Sequence, residues 1–191
     1  MENKKPDYLT DWQNFYLQYF GIKVDFSNLT IPEKKEGFNR PLFIPLNMLP
    51  QTALDASKGK YPCRSKYKDP SLDGVIEWTE EARDPRKGAY VIWIRDSVES
   101  DKELKNISAD ELKEKNIQGI TLTERLIYGL KYYSETKKYL DNRTTTLCSG
   151  SRDAWDGGVP GVVWLIDEYW IVCCDSDDAK PGRGSREVVA V

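Results

Sequence analysis

The chain predicts an α+β fold on three observations. Capped amphipathic helices stand before Leu140, short apolar strands between turns take over from Thr144, and no strand–helix–strand alternation marks a parallel sheet. Residues 10–20 read as a helix: Thr10 and Gln13 make a capping box, Trp12, Phe15, Tyr16 and Tyr19 recur at helical spacing, and Gly21 supplies the stop. The apolar run at 41–49 suits a strand that Pro45 confines to an edge or bulge. A short helix follows near 52–57. Pro, Gly and charge punctuation then leads to AYVIWIRD at 89–96, the clearest strand of the first half. The character changes near Lys87, which divides the chain into an N-terminal extension (1–86) packed on a second unit (87–191). In that unit Ser108 with Glu111 opens a short helix. Thr121 with Glu124 opens a long one whose Leu122, Leu126, Ile127, Leu130 and Tyr133 form an apolar stripe. Strands are expected at 144–149, 162–166, 169–174 and 186–191.

Composition excludes several classes of function. At 191 residues, with 6 Trp, 11 Tyr and 5 Phe, the chain holds enough apolar bulk for one self-sufficient core. Histidine is absent, which removes every mechanism that needs imidazole. A net charge of −3 gives no general attraction to nucleic acid or anionic lipid. No uncharged run approaches a membrane span and no secretion signal opens the chain, so a cytoplasmic protein is expected. Cys63, Cys148, Cys173 and Cys174 lack CxxC spacing and read as reduced thiols, and the sequons at Asn28, Asn106 and Asn142 read as coincidence.

The chemistry-bearing candidates gather at the C-terminal end. Residues 144–191 hold four basic and eight acidic side chains, together with three of the six Trp. Asp153 with Asp156, or Asp167 with Glu168, offers a carboxylate pair for acid and base roles, but both pairs sit in turns, where Asp is favoured for its bonds to nearby amides. DAWDGG and DSDD lack the remainder of a calcium loop, and the adjacent Cys173 and Cys174 lack the partners of a metal site, so no metal or cofactor is expected. Alternation sets Val162, Trp164 and Ile166 on one side of their strand and Val163 and Leu165 on the other. It leaves open whether the second side is surface or core. The aromatic and acidic cluster of Trp155, Tyr169, Trp170, Asp175 and Asp177 suits recognition better than catalysis.

The motifs have a family resemblance. GITLTERL (119–126) resembles the helix start of the formylglycine-generating-enzyme type of C-type lectin fold, with Leu122, Thr123 and Glu124 on its Leu, Thr and Glu. TLCSGSR (146–152) resembles that fold's Arg-Gly-Gly-Ser-Trp strand and turn, and the final SREVVAV resembles its closing strand. Within the fold, YVIWIRD (90–96), NISADELK (106–113), GITLTERL, Asp141, TLCSGSR, DGGVP (156–160) and SREVV (185–189) are most similar to variable proteins of diversity-generating retroelements. The resemblance implies a C-type lectin-like domain and a non-enzymatic function. In that family the C-terminal surface is rewritten by a reverse transcriptase and binds varied targets, here a protein. The implied ligand face comprises Asp153, Ala154, Trp155, Gly158, Gly161, Val163, Leu165, Tyr169, Trp170, Val172, Cys174, Asp175 and Asp177, with Trp164, Ile171 and Cys173 turned inward. The cysteine pair of the formylglycine-generating enzymes and the Glu-Pro-Asn and Trp-Asn-Asp motifs of sugar-binding lectins are missing, so neither activity is inherited.

Overall fold

A computed structural model describes residues 7–191. Along the chain come α1 (Tyr8–Phe20), β1 (Arg40–Ile44), α2 (Pro50–Lys58), β2 (Cys63–Ser65), β3 (Tyr90–Ile94), α3 (Ala109–Glu114) and α4 (Leu122–Thr136). They are followed by β4 (Thr145–Leu147), β5 (Val159–Leu165), β6 (Glu168–Cys174), β7 (Arg183–Gly184) and β8 (Val188–Val189). This is a mixed α+β architecture with two sheets. One is antiparallel, in the order β1-β3-β8; the other runs β2-β6-β5-β4-β7, with parallel pairs at β2–β6 and β4–β7. No described helix is long and apolar enough to cross a membrane.

Helix α1 starts earlier than its expected capping box. Asp7 is the N-cap: its carboxylate accepts the Thr10 amide at 3.2 Å, and the Thr10 hydroxyl donates to it at 2.6 Å instead of capping the helix itself. The stop at Gly21 is as expected, with φ at 68°. The buried face of α1 meets β1, where the Tyr16 hydroxyl donates to the Phe43 carbonyl at 2.6 Å. Strand β1 lies at a sheet edge and ends before Pro45, whose missing N–H would leave a gap in the ladder.

The 1–86 segment is more than a layer on the second unit. It supplies β1 to one sheet and β2 to the other, and its Trp12, Phe43 and Tyr61 share a single core cluster with Leu126, Val162 and Ile171.

Polar groups organise the centre. Thr121 and Glu124 close both halves of the capping box on α4, and Arg83 grips the Glu124 carboxylate at 2.6 and 2.9 Å. At the next residue, Arg125 reaches Asp141 at 2.8 Å, and Arg186 reaches the other Asp141 carboxylate oxygen at 2.7 Å, with all three side chains buried. Arg125 also donates to the Tyr169 hydroxyl at 2.6 Å. Gly129 makes that contact possible, because a Cβ there would stand 2.8 Å from Arg125 Nη1 and 3.0 Å from the Tyr169 oxygen.

Candidate binding face

Strands β5 and β6 form an antiparallel hairpin whose register pairs Val159 with Cys174, Gly161 with Val172, Val163 with Trp170 and Leu165 with Glu168. Directly paired residues point to the same side of a sheet. Gly161, Val163, Leu165, Trp170, Val172 and Cys174 therefore share one face, which turns away from the main core. Trp164, Ile171 and Cys173 belong to the opposite face. Ile171 is fully buried there, and half-buried Trp164 stacks on Tyr139 at 3.5 Å.

Tyr169 does not join the outer face, contrary to expectation. Its register partner is Trp164, so it points into the core, 2 % exposed, between Arg125 and the Tyr61 ring. Cys173 and Cys174 also reverse their expected exposure. Cys174 is on the outer face, but α3 covers that end: Cys174, Leu147 and Val159 bury themselves beneath Ala109. Cys173 is on the inner face at the strand's end, where the core has run out, and is exposed. Alternation reports the side of a strand, not what covers that side.

The two glycines of the expected face are structural. A Cβ on Gly161 would come within 2.9 Å of both Cys174 Sγ and a Thr145 methyl, and one on Gly158 within 2.8 Å of the Cys174 carbonyl. Both are buried. Asp153 is likewise 3 % exposed, because it builds the loop that follows it: one oxygen accepts the Trp155 amide at 2.8 Å, the other the Cys173 thiol at 3.7 Å. Val163 is 5 % exposed and forms the floor of a groove. Ala154, Asp175 and Asp177 are exposed, as expected, and Val172 is half-buried.

Three large apolar side chains stand out from this region: Trp155 (74 % exposed), Leu165 (48 %) and Ile166 (95 %). Sequence reasoning missed Ile166 as a surface residue. It occupies the β5–β6 turn with φ at 48°, followed by Asp167 at 62°. Two successive left-handed residues are the geometry of a tight hairpin turn that favours Asn-Gly, and a β-branched residue is a poor fit for it. The missing signal was that two-residue spacing between the Leu165 and Glu168 ends of the strands. Trp170 lies flat under two cations of the β2 edge, with Arg64 at 5.7 Å and Lys66 at 5.5 Å from its ring, while Arg64 also pairs with Glu168. Trp155 and Trp170 are not brought together. The Asp153–Gly158 loop adjoins the Cys174 end of the hairpin, about 13 Å along the strand from Trp170 at ~3.3 Å per residue.

The loop bearing Trp155 is strapped from below. Residues 75–82 run alongside 150–154, with Ala154 N donating to Val75 O at 2.8 Å, Glu77 N to Arg152 O at 2.9 Å and Ala82 N to Gly150 O at 2.9 Å. Glu81, within this strap, is 8 % exposed; one oxygen accepts the Ser151 hydroxyl at 3.1 Å and the other has no partner among the described residues. Burial pushes its carboxyl up to about 8, with nearby Glu124 adding to the effect and the Ser151 bond opposing it.

Asp153, Asp156 and Cys173 bring one ligand atom each within 4.8 Å of one another. Both carboxylates already accept loop amides, Trp155 N and Gly158 N. Desolvation and the Asp156 charge push the Cys173 thiol up to about 11, which keeps it protonated and a weak nucleophile at neutral pH. Asp167, one of the expected acid–base candidates, is exposed in the hairpin turn. No family model, curated protein or solved structure matches this chain.

Proposed function

We propose that the chain is a non-enzymatic binding protein with a C-type lectin-like scaffold. Its β5–β6 face and flanking loops engage a protein surface, and a retroelement reverse transcriptase rewrites that face. The observation that carries this reading is the hairpin register, which gathers Val163, Leu165, Trp170 and Val172 on one outward side, with Ile166 at its tip and Trp155 on an adjoining loop. Rigid aromatic and branched side chains held on a strapped backbone supply contact area at little entropic cost. The contact set is Ala154, Trp155, Val163, Leu165, Ile166, Trp170, Val172, Asp175 and Asp177. Asp153, Gly158, Gly161, Tyr169 and Cys174 are framework.

Two measurements test the proposal. Sister copies of the gene and the neighbouring DNA are compared: differences confined to codons of the contact set, beside a reverse-transcriptase gene and a template copy, are expected, and differences spread evenly along the gene overturn it. In parallel, saturation substitution followed by thermal denaturation separates the two sets. Contact positions other than buried Val163 keep the melting temperature within a few degrees, whereas framework positions lose it. Equal sensitivity in both sets removes the distinction on which the reading rests.

A further inference from the structure

A groove of about 370 Å³ lies beside β5, walled by residues 142–145 on one side and 180–183 on the other. Its floor is Val163 and Leu165, with Pro181 beside them. Arg143, Lys180 and Arg183 line it, and among the described residues no acidic one does. In a chain of net charge −3 this is a local reversal of sign. We propose that this groove takes an extended acidic segment of a polypeptide partner, carboxylates on the cationic rim and an apolar side chain on the Val163–Leu165 floor. The inference rests on the binding reading of the same face and names the chemistry of its ligand.

The charges facing the groove decide the sign. Asp178 is buried and pairs with Arg183 at 3.1 Å, and with Lys180 at 3.8 Å. Burial works against its charge, but the Lys180 amide and the Arg183 guanidinium hold its carboxyl below the usual range. One carboxylate thus answers two cations. Arg143 has no ion-pair partner among the described residues, and Glu99, which accepts the amides of Arg143 and Thr144, does not line the groove. Arg183 is held rigidly: besides Asp178 it donates to the Thr145 hydroxyl at 2.6 Å, so it presents a pre-oriented guanidinium.

The hydrocarbon floor distinguishes a polypeptide from a polyphosphate. Nucleic acid and phosphate chains favour a continuous cationic track, whereas here the cations sit beside an apolar strip that suits a Leu or Ile between two carboxylates. That strip continues past Leu165 to Ile166, which holds an unfavourable backbone conformation at the tip with no burial to offset it.

The test selects from a displayed library of random 12-residue peptides on the intact protein, with inorganic tripolyphosphate and salt as competitors. Enriched peptides are expected to carry a surplus of Asp and Glu, to weaken at least tenfold between low and high salt, and to resist tripolyphosphate. The Arg143→Glu, Lys180→Gln double variant, its folding checked by its melting temperature, should lose them at least tenfold, as should Leu165→Asp. Enriched peptides without acidic surplus, or indifferent to these variants, overturn the groove assignment and leave the binding reading standing. Displacement by tripolyphosphate overturns it in favour of phosphate. A library that yields nothing also overturns it, and the binding reading is then judged by the sister-gene comparison alone.

Discussion

The sheet that carries β5 and β6 has two sides that differ in what their residues owe to one another. Beneath it, Arg125, Asp141, Arg186 and Tyr169 are all buried and joined by bonds of 2.6–2.8 Å. Above it, Leu165 and Ile166 stand in solvent, and half-buried Trp170 has the edge cations Arg64 and Lys66 over its ring. Neighbouring residues of one strand therefore differ widely in how much change they tolerate: Tyr169 cannot move without taking a hydrogen bond from buried Arg125, whereas Trp170 holds no such bond to the network.

The comparison can be broken most forcefully at Asp141. Replacing it with Asn leaves two buried arginines without their shared carboxylate, a loss of about 3–5 kcal/mol that urea denaturation would register as a collapse of the transition. A similar loss at Trp155→Ala would erase the difference between the two sides. Glu81 gives a pH-dependent contrast. Its folded pKa is raised, so the neutral form is favoured in the fold. Stability is full below the unfolded value near 4.5 and falls as pH rises toward about 8. Glu81→Gln should flatten that decline, which for one group amounts to at most ~1.4 kcal/mol per pH unit; thermal melts from pH 4 to 9 would show the variant gaining at the alkaline end. Gly161→Val, on the outer face but crowded by Cys174 and Thr145, should cost about 1–3 kcal/mol through overpacking, whereas Val172→Ala opposite it costs less. The smallest effect is at the tip. The Ile166→Asn, Asp167→Gly pair restores a favoured turn and should raise stability by about 1 kcal/mol. Peptide binding should weaken in the same variant.

Legibility followed the range of the interaction that fixes each element. The α4 cap is written in four consecutive residues, and the structure has it as the spacing predicts. The start of α1 was misplaced because Asp7 takes the capping role expected of Thr10. Strands β2 and β7, of three and two residues, have no periodicity to read; their parallel partners β6 and β4 define them. The inner and outer sides of β5 and β6 were legible from alternation, apart from Tyr169. Their burial was not, because it depends on α3 settling over Cys174 and on the strap crossing under Asp153. The groove at Val163 was likewise out of reach, since one wall comes from 142–145 and the other from 180–183.

The placing of Arg186, β7 and β8 after the hairpin has a consequence for error. Both sheets and the Asp141 network are completed only by residues 183–189. A frameshift or premature stop introduced anywhere between 150 and 182 removes those closing parts: each sheet loses an edge strand, and buried Asp141 is left with one of its two arginines.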